Sequence, residues 1–209
     1  MQALTWNLYH GRSPSPARRS LLNEFAAALA GWSWDVALLQ EVPPWWPPRL
    51  AAAAGANARW VLTSRNFGLA LRRAIAARNP DLLKANGGGA NAILVRGPVV
   101  AHRAVRLTWF PERRWAHGVQ LADGSWVVNV HASTGRGARG DTLRALAGPW
   151  GSPLLFGGDV NLRRPALPGV VHVGGNHVDH LFTDGRRARR VEVLERGRLS
   201  DHPPVRVTL

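Results

Sequence analysis

The sequence predicts an α/β layered domain, and two features of its 209 residues support this. Short apolar runs with alternating polar positions recur along the chain, which is typical of many short β-strands. Only a few segments with helical spacing lie between them, so a doubly wound sheet with a helix after each strand is not favoured. No repeat, long linker or shift in composition divides the chain, and we expect one domain over residues 1–209.

The first ninety residues alternate predicted strands with predicted helices. Ser15 and Pro16 are typical of a helix start, apolar residues follow at helical spacing, and Gly31 ends that helix. The predicted elements are strands at 2–8, 36–40 and 59–63, a helix between Ser15 and Gly31, a proline-rich loop leading into a helix at 43–55, and a basic helix or loop at 69–78.

Strands dominate the rest of the chain. A single helix is predicted there, over residues 141–147. The predicted strands cover residues 91–95, 99–107, 115–121, 125–131, 154–157, 178–182, 189–195 and 205–209.

The charge is strongly positive, with 27 Lys and Arg against 13 Asp and Glu and a net charge of +14. Such a field favours an anionic partner, which includes nucleic acid, a phosphorylated metabolite and an anionic membrane surface. The coding bias of a GC-rich genome is an alternative source of the arginines. Cysteine is absent, which excludes a disulfide scaffold, a thiol nucleophile and a cysteine-ligated metal. No apolar run reaches membrane-spanning length and no signal peptide precedes the first strand, so we expect a soluble cytoplasmic protein.

Several of the scarce carboxylates follow or lie within apolar runs. A buried carboxylate is unfavourable unless it is paired or bound to a cation. Together with Asn7, Asn161 and His131, they would form an oxygen-rich site suited to Mg²⁺ or Mn²⁺. The alternative for any one of them is that it caps a turn. These carboxylates are Glu41, Asp159, Asp179 and Asp201.

Taken in order, seven segments closely resemble the endonuclease/exonuclease/phosphatase family. The resemblance covers almost the whole chain, and it implies a four-layer α/β sandwich, two stacked mixed β-sheets flanked by helices, with the active site at one end. The segments are TWNLYHG from Thr5, LLQEV from Leu38, NAIL from Asn91, VNVH from Val128, GGDVN from Gly157, VDHLF from Val178 and LSDHPPV from Leu199.

The resemblance also implies roles for the acidic and amide side chains. Glu41 is expected to be the main metal ligand, helped by Asn7, and Asp201 to complete the site. Asp159 is expected to orient or deprotonate the attacking water, and Asn161 to hold that water or a phosphoryl oxygen.

The histidines divide into expected catalytic residues and others. His202 with Asp179 resembles the family's His–Asp pair, in which the carboxylate fixes the tautomer of the imidazole. His131 matches the histidine that contacts the scissile phosphate. His180 points to the opposite face of its strand from Asp179 and is left out. His10 stays open between a substrate contact and a solvated turn.

Substrate choice resides in loops, so the family alone does not give it. Candidate substrate contacts are Asn91, because the resemblance to the family implies that this region lies near the cleft, and Arg136 and Arg139 in a Gly/Arg loop after His131. The ten tryptophans offer stacking surfaces for bases, although most are expected to be packing residues.

The sequence is therefore interpreted as a Mg²⁺- or Mn²⁺-dependent phosphodiesterase of nucleic acid, with DNA as the expected substrate. Its expected products are a 5′-phosphate and a 3′-hydroxyl. We expect a monomer that uses neither a membrane nor a protein partner. The alternatives are a phosphatase or phosphodiesterase for a small phosphorylated substrate, and a basic nucleic-acid-binding protein without activity.

Overall fold

Two mixed β-sheets of six strands each form the centre of the molecule. The computed structural model describes residues 1–63, 66–110 and 112–209. The first sheet has the strand order β11-β12-β1-β2-β4-β3 and the second β5-β6-β7-β8-β10-β9. The strands are β1 (Gln2–Asn7), β2 (Val36–Val42), β3 (Asn57–Leu62), β4 (Ala90–Val95), β5 (Val99–Thr108), β6 (Arg114–Leu121), β7 (Trp126–His131), β8 (Leu155–Asp159), β9 (Val171–Asn176), β10 (Asp179–Thr183), β11 (Arg190–Val193) and β12 (Val205–Thr208). The helices are α1 (Leu22–Gly31), α2 (Pro47–Ala54), α3 (Leu69–Arg78) and α4 (Gly137–Leu146).

The alternation of side chains along the strands builds the layers. Ala3 and Leu38 of the first sheet pack against Val127 and Leu155 of the second, which forms a core between the sheets. On the outer face of the first sheet, residues such as Trp6 pack against α1 and α2. The outer face of the second sheet packs against α4. The predicted four-layer sandwich is confirmed.

The first helix begins later than Ser15 and Pro16 indicate. Residues 12–20 form a loop that Asp81 holds in place, because its carboxylate accepts hydrogen bonds from Arg12 Nε at 3.2 Å and from the Arg18 backbone N–H at 2.8 Å. The helical periodicity therefore takes effect only from Leu22. The local capping residues predicted that the helix starts at Ser15, but the contact of Arg18 with Asp81, 63 residues away in sequence, holds this segment as a loop.

Glycine residues explain two further differences between the predicted and the observed elements. Helix α4 begins at Gly137, before the predicted start at residue 141, although its glycines lower helix propensity. Strand β9 was not predicted because Gly174 and Gly175 interrupt its apolar pattern. A Cβ on Gly174 would lie 2.7 Å from Val207, so this strand needs glycine to approach its neighbours.

The connection between β3 and β4 is helical in part. It contains α3, which packs against two short 3₁₀ helices at Pro80–Leu82 and Lys84–Gly87, and a third such turn, Tyr9–Gly11, follows β1. The segment 43–55 forms a loop that leads into α2, as predicted. Within the described ranges, no helix is long and apolar enough to cross a membrane.

Candidate active site

Strand register places three predicted site residues side by side. His131 at the end of β7 is paired with Asp159 at the end of β8, and Asp159 is paired with Asp179 at the start of β10. Side chains alternate between the two faces of a strand, and Leu155 and Leu181 point into the core between the sheets. His131, Asp159 and Asp179 lie on the same face of the second sheet as these leucines. Asn7 reaches them from the first sheet, since its Nδ2 donates to Asp159 Oδ2 at 3.0 Å.

Two glycines before Asp159 allow this arrangement. Gly158 has a φ of +130°, and a Cβ there would lie 2.1 Å from the carbonyl oxygen of Val130. A Cβ on Gly157 would lie 2.2 Å from the carbonyl oxygen of His180. Any larger residue would therefore push β8 away from its two neighbours.

A break in the strand alternation brings Glu41 into the site. Its neighbours Ala37 and Leu39 face the helices, so regular alternation would bury Glu41 on that side as well. The pairing of β2 with β4 shifts register between Leu39 and Val42, and Glu41 itself has a φ of +50°. Its carboxylate consequently lies 3.9 Å from His131 Nε2 on the opposite sheet. A β-bulge changes the direction of a side chain in this way.

The loop before β12 holds His202 against Asp179. Ser200 Oγ donates to the carbonyl oxygen of Asn7 at 2.6 Å and accepts from the His202 N–H at 3.0 Å. Trp6 Nε1 donates to the His202 carbonyl oxygen at 2.9 Å. Within this frame, His202 Nδ1 lies 2.7 Å from Asp179 Oδ2, so the structure forms the expected pair, and Nε2 lies 3.9 Å from Asp201 Oδ1.

Asn161 supports Asp159 from the next turn. Its backbone N–H donates to Asp159 Oδ1 at 3.1 Å, and its side-chain Nδ2 donates to the Ala132 carbonyl oxygen at 2.9 Å. Its φ of +52° is strained for a residue with a side chain, and such strain is common at functional sites.

These groups surround a cavity of about 240 Å³. Glu41, His131, Asp201 and His202 line it directly, while Asp159, Asp179 and Asn7 lie buried beside it. The other lining residues are Tyr9, His10, Arg12, Thr63, Ala85, Glu112, Arg113 and Arg114.

The three candidate substrate contacts do not line this cavity. Asn91 is fully buried and donates from Nδ2 to the Trp115 carbonyl oxygen at 3.2 Å, so it links the two sheets. Arg136 and Arg139 are exposed at the start of α4. Any role that these residues have in substrate binding remains a prediction.

Sequence reasoning missed Arg114. Its Nη1 donates to His131 Nε2 at 2.7 Å, and its Nη2 donates to Glu112 Oε2 at 2.6 Å. Because a guanidinium only donates, His131 accepts at Nε2 and is neutral in this arrangement. Burial, together with the charges of Arg114, His10 and His202, lowers the pKa of His131 well below its ordinary value. Arg114, rather than an imidazolium at His131, is therefore the cation here, and nothing in the sequence separates it from the other arginines.

His10, left open by the sequence, lies in the site. Its Nε2 is 3.1 Å from Glu41 Oε2, and its Nδ1 is 3.3 Å from the Gly88 carbonyl oxygen. The glycine run before β4 thus holds His10 rather than forming an open loop.

Burial dominates the electrostatics of the two aspartates. Burial, followed by the charge of Asp179, raises the pKa of Asp159 to about 7. Burial also raises the pKa of Asp179, although its hydrogen bond with His202 opposes the shift. For His202, burial alone would lower the pKa, but the hydrogen bond and charge of Asp179 outweigh it and raise that pKa to about 9. The site therefore holds a protonated imidazole beside a carboxyl group that titrates near neutral pH.

The chemistry of these side chains fits a divalent cation. Among the described residues Asp179 Oδ1 is buried without a hydrogen-bond partner, and Glu41 directs its carboxylate into the cavity. One atom from each of Asp159, Asp179 and His202 lies within 4.8 Å of the other two, but a protonated His202 has no lone pair for a metal, so the donors for a cation are the carboxylate oxygens. Hard cations prefer oxygen donors of this kind and compensate the cost of burying carboxylates.

Comparison with known proteins identifies the family. The model of the Endonuclease/Exonuclease/phosphatase family matches residues 4–202. The chain belongs to this family. The resemblance carried by the seven sequence segments is thereby confirmed, and with it the relationship to hydrolases of phosphate esters. No curated protein is significantly similar to the chain in sequence.

Solved structures of the family share the fold. An endonuclease/exonuclease/phosphatase from Beutenbergia cavernae is 20% identical, with a TM-score of 0.73 over 99% of this chain and 70% of that one. A family protein from Leptotrichia buccalis is 13% identical, with a TM-score of 0.71 over 100% and 99%. D. rerio TDP2, solved in complex with a single strand DNA product, is 14% identical, with a TM-score of 0.60 over 99% and 97%.

Proposed function

We propose that the protein is a divalent-metal-dependent phosphodiesterase that cleaves nucleic acid, with DNA as its substrate. The observation that carries the proposal is the convergence of Asp159, His202, Glu41 and Arg114 on one charged cavity at the end of the sandwich. A base, an acid, a carboxylate facing the cavity and a fixed cation are the groups that hydrolysis of a phosphodiester requires.

In this proposal Asp159 is the base. Its carboxylate is held by Asn7 and by the Asn161 N–H, and its pKa of about 7 is close to the pH at which it would work. It takes a proton from water, whose oxygen forms the new bond to phosphorus while the bond from phosphorus to the leaving 3′ oxygen breaks. The leaving oxygen is protonated through solvent, which takes back the proton held by Asp159, so the products are a 5′-phosphate and a 3′-hydroxyl. His202, protonated and fixed by Asp179, donates to a phosphoryl oxygen from Nε2.

Arg114 supplies positive charge next to the same phosphate. Its two contacts, with His131 and Glu112, fix the guanidinium before substrate arrives, so little reorganisation is needed in the transition state. Glu41, assisted by Asn7 and Asp201, would hold the metal. A bound divalent cation would stabilise the charge that develops on the phosphoryl oxygens.

A nucleic-acid substrate is supported by charge and by size. The net charge of +14 attracts a polyanion more strongly than a single phosphate group. The cavity, at about 240 Å³, is smaller than the roughly 300–1,000 Å³ of typical small-molecule pockets. The single strand DNA product in the TDP2 structure is consistent with this substrate class.

The test is a paired hydrolysis assay with Mg²⁺ or Mn²⁺ and a chelator control. One arm uses supercoiled plasmid, and the other uses a chromogenic phosphodiester and a panel of phosphomonoesters. We expect metal-dependent nicking of plasmid that Asp159→Asn abolishes. Asp141→Asn is the matched control, because Asp141 is equally buried but binds the Ser133 N–H away from the cavity. Turnover of small esters with intact plasmid would refute the nucleic-acid proposal, and full activity of Asp159→Asn would refute the site.

A further inference from the structure

Two exposed aromatic residues follow the strand that pairs with Arg114. Trp109 and Phe110 come directly after β5, and they are 64% and 87% exposed. The preceding residue, Thr108, is paired with Arg114, and its Oγ1 donates to the Glu112 carbonyl oxygen at 2.7 Å. Glu112 and Arg114 both line the cavity, so the aromatic pair directly follows a residue that contacts the cavity wall.

Arg106 fixes the ring of Trp109. Its guanidinium carbon lies 3.7 Å from the centre of the Trp109 ring and 5.8 Å from that of Trp115 on β6. One face of the Trp109 indole is therefore covered by a cation, while most of the side chain stays open to solvent. The ring is therefore held in place with its other face available for stacking.

We propose that Trp109, backed by Arg106, stacks an unpaired base next to the scissile phosphate, so that the protein prefers single-stranded nucleic acid or frayed duplex ends. This inference rests on the proposed nuclease function and adds the strand preference. In a duplex both faces of a base are covered by neighbouring bases, so a protein indole reaches only a base that is unpaired or flipped out. Stacking on an aromatic ring tolerates any base, and a guanidinium behind the ring strengthens it.

The charge beneath the ring distinguishes this role from insertion into a membrane. Burying Trp109 in hydrocarbon would carry the Arg106 guanidinium towards the bilayer, which is unfavourable. A stacked base leaves the guanidinium at the water interface. The phosphates on either side of that base would meet Arg106 and Arg114, whose charges complement them.

The protein-side test compares kcat/KM for a single-stranded oligonucleotide with that for a chromogenic phosphodiester that has no base. We expect Trp109→Ala to lower this ratio about 10-fold, which is the size of effect that loss of one base–aromatic stack produces. Trp109→Phe retains a ring and should restore most of the ratio. Arg106→Ala should lower it by less.

Two variants serve as matched controls. Trp60→Ala removes a partly exposed indole from the edge strand β3, and Arg103→Ala removes a guanidinium stacked on Trp126 rather than on Trp109. Neither should change the ratio by more than about two-fold, because neither removes a member of the Trp109–Arg106 pair. Equal losses in Arg103→Ala and Arg106→Ala would show that only overall charge matters and would overturn the inference.

The substrate-side test removes one base at a time from the oligonucleotide by placing an abasic nucleotide at successive positions. With the abasic nucleotide at one position near the scissile phosphate, kcat/KM of the wild-type protein should fall by about as much as Trp109→Ala lowers it on the intact strand. Trp109→Ala itself should be insensitive to that abasic nucleotide, because the two changes remove the same contact. Independent losses at every position would overturn the inference.

The outcomes separate this inference from the proposed function. A protein that cleaves only the small diester would refute the nuclease function. A nuclease that cleaves paired and unpaired DNA equally, with Trp109→Ala unchanged, would retain that function and refute the base-stacking role. Sedimentation with phosphatidylglycerol vesicles tests the lipid alternative, and vesicle binding that Trp109→Ala abolishes without affecting cleavage of DNA would assign the ring to a membrane.

Discussion

Replacing Asp159 by Asn should abolish activity and yet stabilise the metal-free protein at alkaline pH. The ionised carboxylate is 2% exposed and lies next to Asp179, so its ionisation is unfavourable in the folded state. An amide of the same shape removes that charge. Loss of function with a gain in stability is the expected behaviour of a residue placed for catalysis rather than for folding.

The size of the gain follows from the pKa. Burial and the charge of Asp179 raise the pKa of Asp159 from 3.8 to about 7, and about 3 pKa units correspond to roughly 4 kcal/mol at pH 8. The amide also loses one hydrogen bond, because both carboxylate oxygens accept from donors, Asn7 Nδ2 and the Asn161 N–H. Subtracting about 1–3 kcal/mol for this loss leaves a net stabilisation of roughly 1–3 kcal/mol.

The sign of the effect should reverse with pH. A raised folded-state pKa means that stability falls as pH rises from 3.8 through 7, so the variant's advantage is present above pH 7 and absent near pH 4. At pH 4 only the lost hydrogen bond remains, and the variant should be less stable than the wild type.

Urea unfolding in the presence of a chelator measures both stabilities. Asp141→Asn, at the buried carboxylate that accepts from the Ser133 N–H, should destabilise at both pH values by about 1 kcal/mol. If Asp159→Asn is less stable than the wild type at pH 8 as well, the explanation based on burial of charge is wrong.

Four further outcomes are expected. Glu41→Gln should weaken Mn²⁺ binding by at least about 10-fold in calorimetry and lower plasmid cleavage, whereas unchanged affinity would place the metal elsewhere. Arg114→Lys should lower kcat/KM by about 10- to 100-fold, because an ammonium lacks the planar fork whose two nitrogens contact His131 and Glu112, and a loss below 2-fold would contradict that role. Because the pKa of His202 is raised to about 9, its stabilisation of the fold should be full below pH 6.5 and should be lost as pH rises through 9. In metal-free urea titrations the free energy of unfolding should fall by up to about 3 kcal/mol over this range. The decline above pH 7 should be absent in a His202→Gln variant. Binding of plasmid by Asp159→Asn should weaken steeply with salt, and a flat dependence would indicate that the arginine surface does not bind DNA.

Much of the fold could be predicted from local sequence pattern. The apolar runs at β1, β2, β4, β7 and β8 are long enough to be recognised as buried strands, and the Gly-Gly-Asp and Ser-Asp-His segments indicated where chemistry lies. The start of α1 could not be predicted, because the contacts of Asp81 with Arg12 and Arg18 join segments far apart in sequence. The glycines of β9 look like breaks until their neighbours Val191 and Val207 are in place.

The candidate site, like the fold, could be predicted from the sequence only in part. Residue type and position beside apolar runs predicted His131, Asp159 and Asp179 as site residues, because a buried carboxylate is unfavourable without a partner or a cation. The resemblance to the family predicted the pairing of His202 with Asp179. Their relation to one another was decided by register, which pairs His131 with Asp159 across parallel strands and Asp159 with Asp179 across antiparallel ones.

The sequence alone determined most of the strands, with β9 excepted, and which polar side chains lie at their ends, because both depend on residues that are neighbours in the chain. Only the tertiary structure decided that a bulge turns Glu41 into the cavity, that Arg114 donates to His131 Nε2, and that Arg106 stacks on Trp109. These contacts depend on strand register and on the stacking of two sheets, and a pattern with a period of two residues carries information about neither.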